Sequence, residues 1–125
     1  YEPNKNNKID IKNALKALDK SNQYSHIQGA ICRNNHIILE KQEGTQKMLK
    51  KIKRIKNFNK GVLVKFPKKK QDPRVDLPTI GLNTLKQCKA AGLKGIVLKH
   101  KKNIFLDKKK SIYFANKNKM FIFVK

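Results

Sequence analysis

Asp72, Arg74 and Asp76 alternate along the stretch Gln71-Asp72-Pro73-Arg74-Val75-Asp76-Leu77-Pro78. The chain carries 31 Lys+Arg against 8 Asp+Glu, a formal net charge of +23. Two carboxylates and one of the few arginines in so short a space therefore need a reason. Carboxylates are hard oxygen donors and suit Mg²⁺, which keeps several of its waters. A guanidinium pairs with a carboxylate or grips a phosphate. Two readings stay open at this point: a solvated loop with local charge pairing, or a strand-to-helix loop that holds a phosphate or a metal. Of the other acidic residues, Glu2, Asp10 and Asp19 belong to the tail and first helix, Glu40 to a hairpin end, and Asp107 is placed to cap a helix. That leaves Glu43 as the third carboxylate of interest. Thr45 and Thr84 stand at the starts of helices, where unpaired backbone N–H groups attract anions.

Other chemistries find no purchase. There is no Gly-rich phosphate loop, no H-E-x-x-H and no Ser-centred nucleophile elbow. Cys32 and Cys88 lack C-x-x-C spacing and read as small core residues of a reducing compartment. His26, His36 and His100 are dispersed. No apolar run approaches the ~18 residues of a membrane span. No signal peptide is evident, and a start inside the polar segment Tyr1–Lys8 reads as a cut from a longer chain. Lysine dominates the charge, beside abundant Asn and Ile, which fits A- and T-rich codons. Nucleic-acid readers favour Arg and interleave aromatics with their basic residues. Here Phe105, Phe121 and Phe123 sit inside apolar runs instead.

The elements that must position the acidic stretch follow from hydrophobic period. Residues 1–8 read as linker. Ile11, Ala14, Leu15 and Leu18 recur at helical spacing within 9–20. Two β-like runs, 27–32 and 36–40, flank Arg33-Asn34-Asn35 and predict a hairpin. Met48, Leu49, Ile52 and Ile55 form the stripe of a second helix. Gly61 to Phe66 is an apolar run suited to a strand buried on both faces. Leu82, Leu85 and Cys88 begin a helix that Gly92 stops. The runs 95–100 and 104–106 read as a second hairpin, 108–118 as a helix and 120–124 as a last strand. The sum is an α/β (or α+β) domain: a short mixed sheet with hairpins packed against about four helices, in a single layered unit at 9–125.

Four blocks then resemble a known family: Glu43-Gly44-Thr45-x-x-Met48-Leu49, Gly61-Val62-Leu63-Val64-Lys65, Gln71-Asp72-Pro73-Arg74-Val75-Asp76-Leu77-Pro78-Thr79-Ile80-Gly81, and Ala91-Gly92-Leu93-x-Gly95-Ile96. The chain is similar to the C-terminal domain of the LpxI family of UDP-2,3-diacylglucosamine pyrophosphatases. The resemblance implies Mg²⁺-dependent hydrolysis at the α-phosphorus, giving lipid X and UMP in lipid A biosynthesis. It implies a site shared with an N-terminal domain that precedes residue 1, so that the isolated domain is inactive. On this resemblance Asp72, Asp76 and Glu43 are the catalytic carboxylates, with Asp72 and Asp76 as metal ligands. Lys65, Arg74, Gln71, Thr45 and Thr79 would hold the phosphate or sugar. The expected setting is the cytoplasm, peripheral to the inner membrane, with a homodimer left open and no specific nucleic acid. The competing reading is a basic module that binds nucleic acid or anionic lipid without catalysis.

Overall fold

The central strands alternate between two hydrophobic cores, and that alternation sets the layers. The structure, a computed structural model, describes residues 2–20, 29–33, 36–39, 48–49, 60–65, 79–99 and 104–124. Within them lie α1 (Lys5–Lys20), β1 (Gly29–Arg33), β2 (His36–Leu39), β3 (Val62–Lys65), β4 (Thr79–Ile80), α2 (Leu82–Ala90), β5 (Gly95–Leu98), β6 (Ile104–Phe105), α3 (Lys108–Lys117) and β7 (Phe121–Val124). Five strands form one mixed sheet in the order β2-β1-β3-β5-β7, and β4 pairs with β6 in a second, two-stranded sheet. β1 runs antiparallel to β2 and β3, whereas β3, β5 and β7 are parallel. Ala30, Cys32, Val62, Val64, Val97 and Phe121 pack against Ile11, Ala14 and Leu18 of α1. The alternate residues Ile31, Leu63, Ile96 and Leu98 pack against α2, α3 and the helical pair Met48-Leu49. A period of two on a sheet covered on both faces produces this division. The domain is therefore α1, sheet, then α2 with α3.

Three helices are described. Most of the expected helix around 45–56 lies outside the described residues, save Met48 and Leu49, which are helical and buried. α1 starts at Lys5, four residues earlier than its apolar stripe suggests. The cause is a reciprocal cap: the Asn4 N–H donates to Asn7 Oδ1 (3.0 Å) and the Asn7 N–H to Asn4 Oδ1 (2.8 Å). This is a capping box with Asn at both ends, satisfying two otherwise orphaned donors. α2 stops as expected at Gly92 (φ 80). The Leu93 N–H donates to Cys88 O and the Gly92 N–H to Lys89 O, both at 2.9 Å, a Schellman closure. α3 closes the same way through Met120 to Ala115 O and Lys119 to Asn116 O, but Lys119 holds the left-handed position at φ 55. Lys89 Nζ ties the two helix ends together by a bond to Asn118 Oδ1.

Two expectations fail. Residues 95–100 and 104–106 do not form a hairpin: β5 lies between β3 and β7, and β6 pairs in parallel with β4. Gly95–Leu98 is buried throughout, which suits a central strand, and Gly95 is required there. A Cβ on it would come within 2.5 Å of the Phe121 ring and 2.6 Å of Phe121 O. Asp107 occupies the N-cap position of α3, yet its backbone is left-handed (φ 50) and its side chain makes no cap bond. Cys32 and Cys88 are buried as expected, and neither is in a disulfide. They belong to different cores, on opposite faces of the sheet. Burial pushes the Cys88 thiol up to about 12, so it is inert near neutral pH.

Arg33 joins three segments at the amino edge of the parallel strands. Its Nε donates to Lys60 O (2.7 Å) and an Nη to Ala91 O (2.8 Å). Gly61 (φ 105) lets the chain pass beneath: a Cβ there would sit 3.0 Å from both Arg33 Cβ and Leu93 Cδ2. Asp10, which the sequence assigns to the first helix, is buried beside this cluster. It accepts a bond from Cys32 Sγ at 3.5 Å through Oδ1, while Oδ2 is unsatisfied. Burial raises its pKa above 3.8, against the opposing pull of the Cys32 bond and of the Lys60 and Arg33 charges.

Two outcomes follow from these features. A folded-state carboxyl pKa above its unfolded value means the native state holds the proton longer. Stability from Asp10 is thus fully present below pH 3.8 and is lost as pH rises through the elevated folded pKa. Urea denaturation at stepped pH should show that decline in the wild type and not in Asp10→Asn. Lys119→Gly removes a left-handed non-glycine and should raise stability by roughly 0.5–1 kcal/mol, read as a higher denaturation midpoint.

Candidate functional site

Parallel strands send their connections out from one edge, and ligands of open α/β sheets bind beyond those carboxyl ends. Here that edge is formed by Lys65, Leu98 and Val124 at the ends of β3, β5 and β7. Segment 66–78, which contains the Asp72-Arg74-Asp76 stretch, leaves from Lys65 and returns at Thr79 of β4. Segment 99–103 leaves from β5 and returns at β6. Because β4 and β6 pair (Thr79 with Ile104, Ile80 with Phe105), both connections re-enter side by side.

This pairing places two helix starts together. The Leu106 N–H donates to Ile80 O (2.7 Å), and Gly81 packs so close that a Cβ there would lie 3.3 Å from Leu106 O. α2 begins directly after Gly81 and α3 after Asp107. Neither N-cap supplies a side-chain bond, and neither first turn carries an acidic residue. Two uncapped N-termini with aligned backbone dipoles make a locus of positive potential at the carboxyl edge. Of the helix ends singled out from sequence, the Thr84 end is thus realised, though the cap is Gly81. The neighbouring start of α3 was not singled out; the signal for it is that both helices follow the two short strands that pair.

Lys65 is the one proposed site side chain that the structure describes. It ends β3, paired with Leu98 on one side and Gly29 on the other, and is only 5% exposed. Strand alternation puts it on the same face as Leu63, the face covered by Met48, Leu49 and α2. A lysine so enclosed at a strand end is costly unless its ammonium meets compensating charge. Thr79 has its backbone in β4. Asp72, Asp76, Glu43, Arg74, Gln71 and Thr45 lie outside the described residues. Among the described residues, no group of three or more His, Cys, Asp or Glu side chains gathers that could hold a metal.

The family model described as the LpxI C-terminal domain matches residues 1–123. A curated relative, the UDP-2,3-diacylglucosamine pyrophosphatase LpxI of Caulobacter vibrioides, is 35% identical over 118 residues. That alignment takes in 86% of this chain and 42% of the relative, so the chain spans about two fifths of the relative's length. A family model that covers nearly every residue, together with this identity, settles membership: the chain belongs to the LpxI family, as its C-terminal domain.

Proposed function

We propose that this domain forms one half of a Mg²⁺-dependent pyrophosphatase that splits UDP-2,3-diacylglucosamine at the α-phosphorus into lipid X and UMP. The observation that carries the reading is the match of nearly the whole chain to the LpxI C-terminal domain. The carboxyl edge supplies physical support. Its two helix N-termini and Lys65 offer fixed positive potential where a pyrophosphate has to be held. The other half of the site belongs to the part of the relative that this chain does not span, an N-terminal domain. A site divided in this way loses its positioning when cut, so the isolated domain is inactive.

Asp72 and Asp76 would hold the metal, and Glu43 would supply a third carboxylate to the reaction. An all-oxygen donor set of this kind suits Mg²⁺. When bound, the metal neutralises phosphoryl charge and lowers the pKa of a coordinated water. The protein's own task is to hold and orient. Arg74 and Lys65 bind non-bridging phosphate oxygens, and Gln71, Thr45 and Thr79 donate hydrogen bonds to phosphate or sugar. Glu43, the carboxylate not assigned to the metal, would accept the proton of the attacking water. The enzyme works in the cytoplasm, peripheral to the inner membrane where a diacylated substrate resides. No described helix is long and apolar enough to cross a membrane.

Full-length protein carrying Asp72→Ala or Asp76→Ala should lose UMP release by about 100-fold or more. Wild-type rates in both variants would remove these residues from the mechanism. Lys65→Met keeps the length and apolar stem of the side chain. It should lower turnover by roughly 10-fold or more while circular dichroism stays native.

A further inference from the structure

α3 and α1 are both lysine-rich, yet they present different surfaces. α1 buries Ile11, Ala14 and Leu18, and of its large apolar residues Ile9 alone is exposed, amid Lys5, Lys8, Lys12 and Lys16. α3 buries only Ser111 and Ala115. Its outward face carries Ile112, 42% exposed, and Tyr113, 69% exposed, and Leu106, 53% exposed, precedes the helix. At 100° per residue Tyr113 and Lys109 lie at the outer pole, with Ile112 on one flank and Lys110 and Lys117 on the other. Those lysines are all exposed, and the helix contains no acidic residue.

We infer that the outer face of α3 docks the domain on an anionic phospholipid surface. Apolar and aromatic side chains ringed by lysine are the pattern of a helix that lies in the bilayer interface. Lysine stems can lie along apolar surface while their heads reach lipid phosphates. Tyr113 has the amphipathic ring favoured at headgroup depth. A duplex or single strand would instead call for Arg and for aromatic stacking platforms among the basic residues, and α3 has no arginine. The inference deepens the reading of a diacylated substrate and rests on it in one respect. α3 starts at the carboxyl edge beside α2, so a bilayer along its outer face would meet the site end of the domain.

The test uses full-length protein and phosphatidylcholine vesicles with and without about one third phosphatidylglycerol. Wild type should co-sediment with the anionic vesicles alone, and rising salt should weaken binding. Lys109→Glu with Lys117→Glu should weaken it by about fivefold or more per lysine. Ile112→Ser with Tyr113→Ser should weaken it several-fold while UMP release from detergent-dispersed substrate stays at the wild-type rate. Vesicle binding that ignores both pairs of changes overturns the inference, as does tighter binding to an oligonucleotide competitor than to vesicles. Absence of UMP release in the wild type would instead sink the pyrophosphatase reading and leave the sedimentation result standing.

Discussion

Val62 to Lys65 pairs in parallel with Gly95 to Leu98, and a parallel pair cannot be closed by a tight turn. The chain must cross back over the sheet, which needs a dozen or more residues, usually including a helix. α2 is that crossing. It forces residues 66–78 to leave from the carboxyl end of β3, and the repeat of the same move through α3 to β7 sends 99–103 out at the same edge. Everything proposed for the site depends on this single constraint. Were β5 and β6 a hairpin, the two helix starts would not meet.

The opposite, amino edge is closed by backbone and charge. Arg33 holds Lys60 and Ala91, and the Lys60 and Lys94 N–H groups donate to Gly92 O and Gly61 O, each at 2.8 Å. Asp10 beneath it places a buried carboxylate near the Arg33 and Lys60 charges. This arrangement accounts for scarce ionic partners being spent far from the site: they join the hairpin, β3 and the end of α2 into one frame. A frame that is rigid at one edge lets the connections at the other diverge in sequence without loss of fold. Sites built on a fixed scaffold with variable loops have this division.

Much of the architecture was legible because these strands are short apolar runs with few competing signals. The run from Gly61 to Phe66 reads as a strand buried on both faces, and Val62–Lys65 is buried throughout. The run 95–100 reads as a strand, and Gly95–Leu98 is one, though central and not part of a hairpin. What escaped had particular causes. The two-residue β4 is too short for any period to reveal, and without it the pairing partner of β6 is invisible, so β6 was given to β5. The Asn4–Asn7 cap escaped because a capping box is usually read as Ser or Thr with Glu or Gln. Asp10 was legible only as a residue of the first helix, since its place beside Cys32 and Arg33 is a tertiary fact. The candidate site was legible mainly through family resemblance: alternating Asp-Arg-Asp left two chemistries open, and only the long block around it singled out one. The structure adds the burial of Lys65 and the adjacent helix starts, neither of which spacing encodes.

The central claim is that the metal and the pyrophosphate sit at the carboxyl edge. Paramagnetic broadening by Mn²⁺, as a stand-in for Mg²⁺, in the isotope-labelled full-length protein tests it most directly. The account predicts that sub-stoichiometric Mn²⁺ broadens the backbone amides of Lys65, Thr79, Ile80 and Leu106. It predicts that Gly61, Lys94 and Asp10 at the far edge stay sharp, and that excess Mg²⁺ reverses the effect. Broadening centred on the Asp10 and Arg33 edge, or spread evenly over the surface, would contradict it.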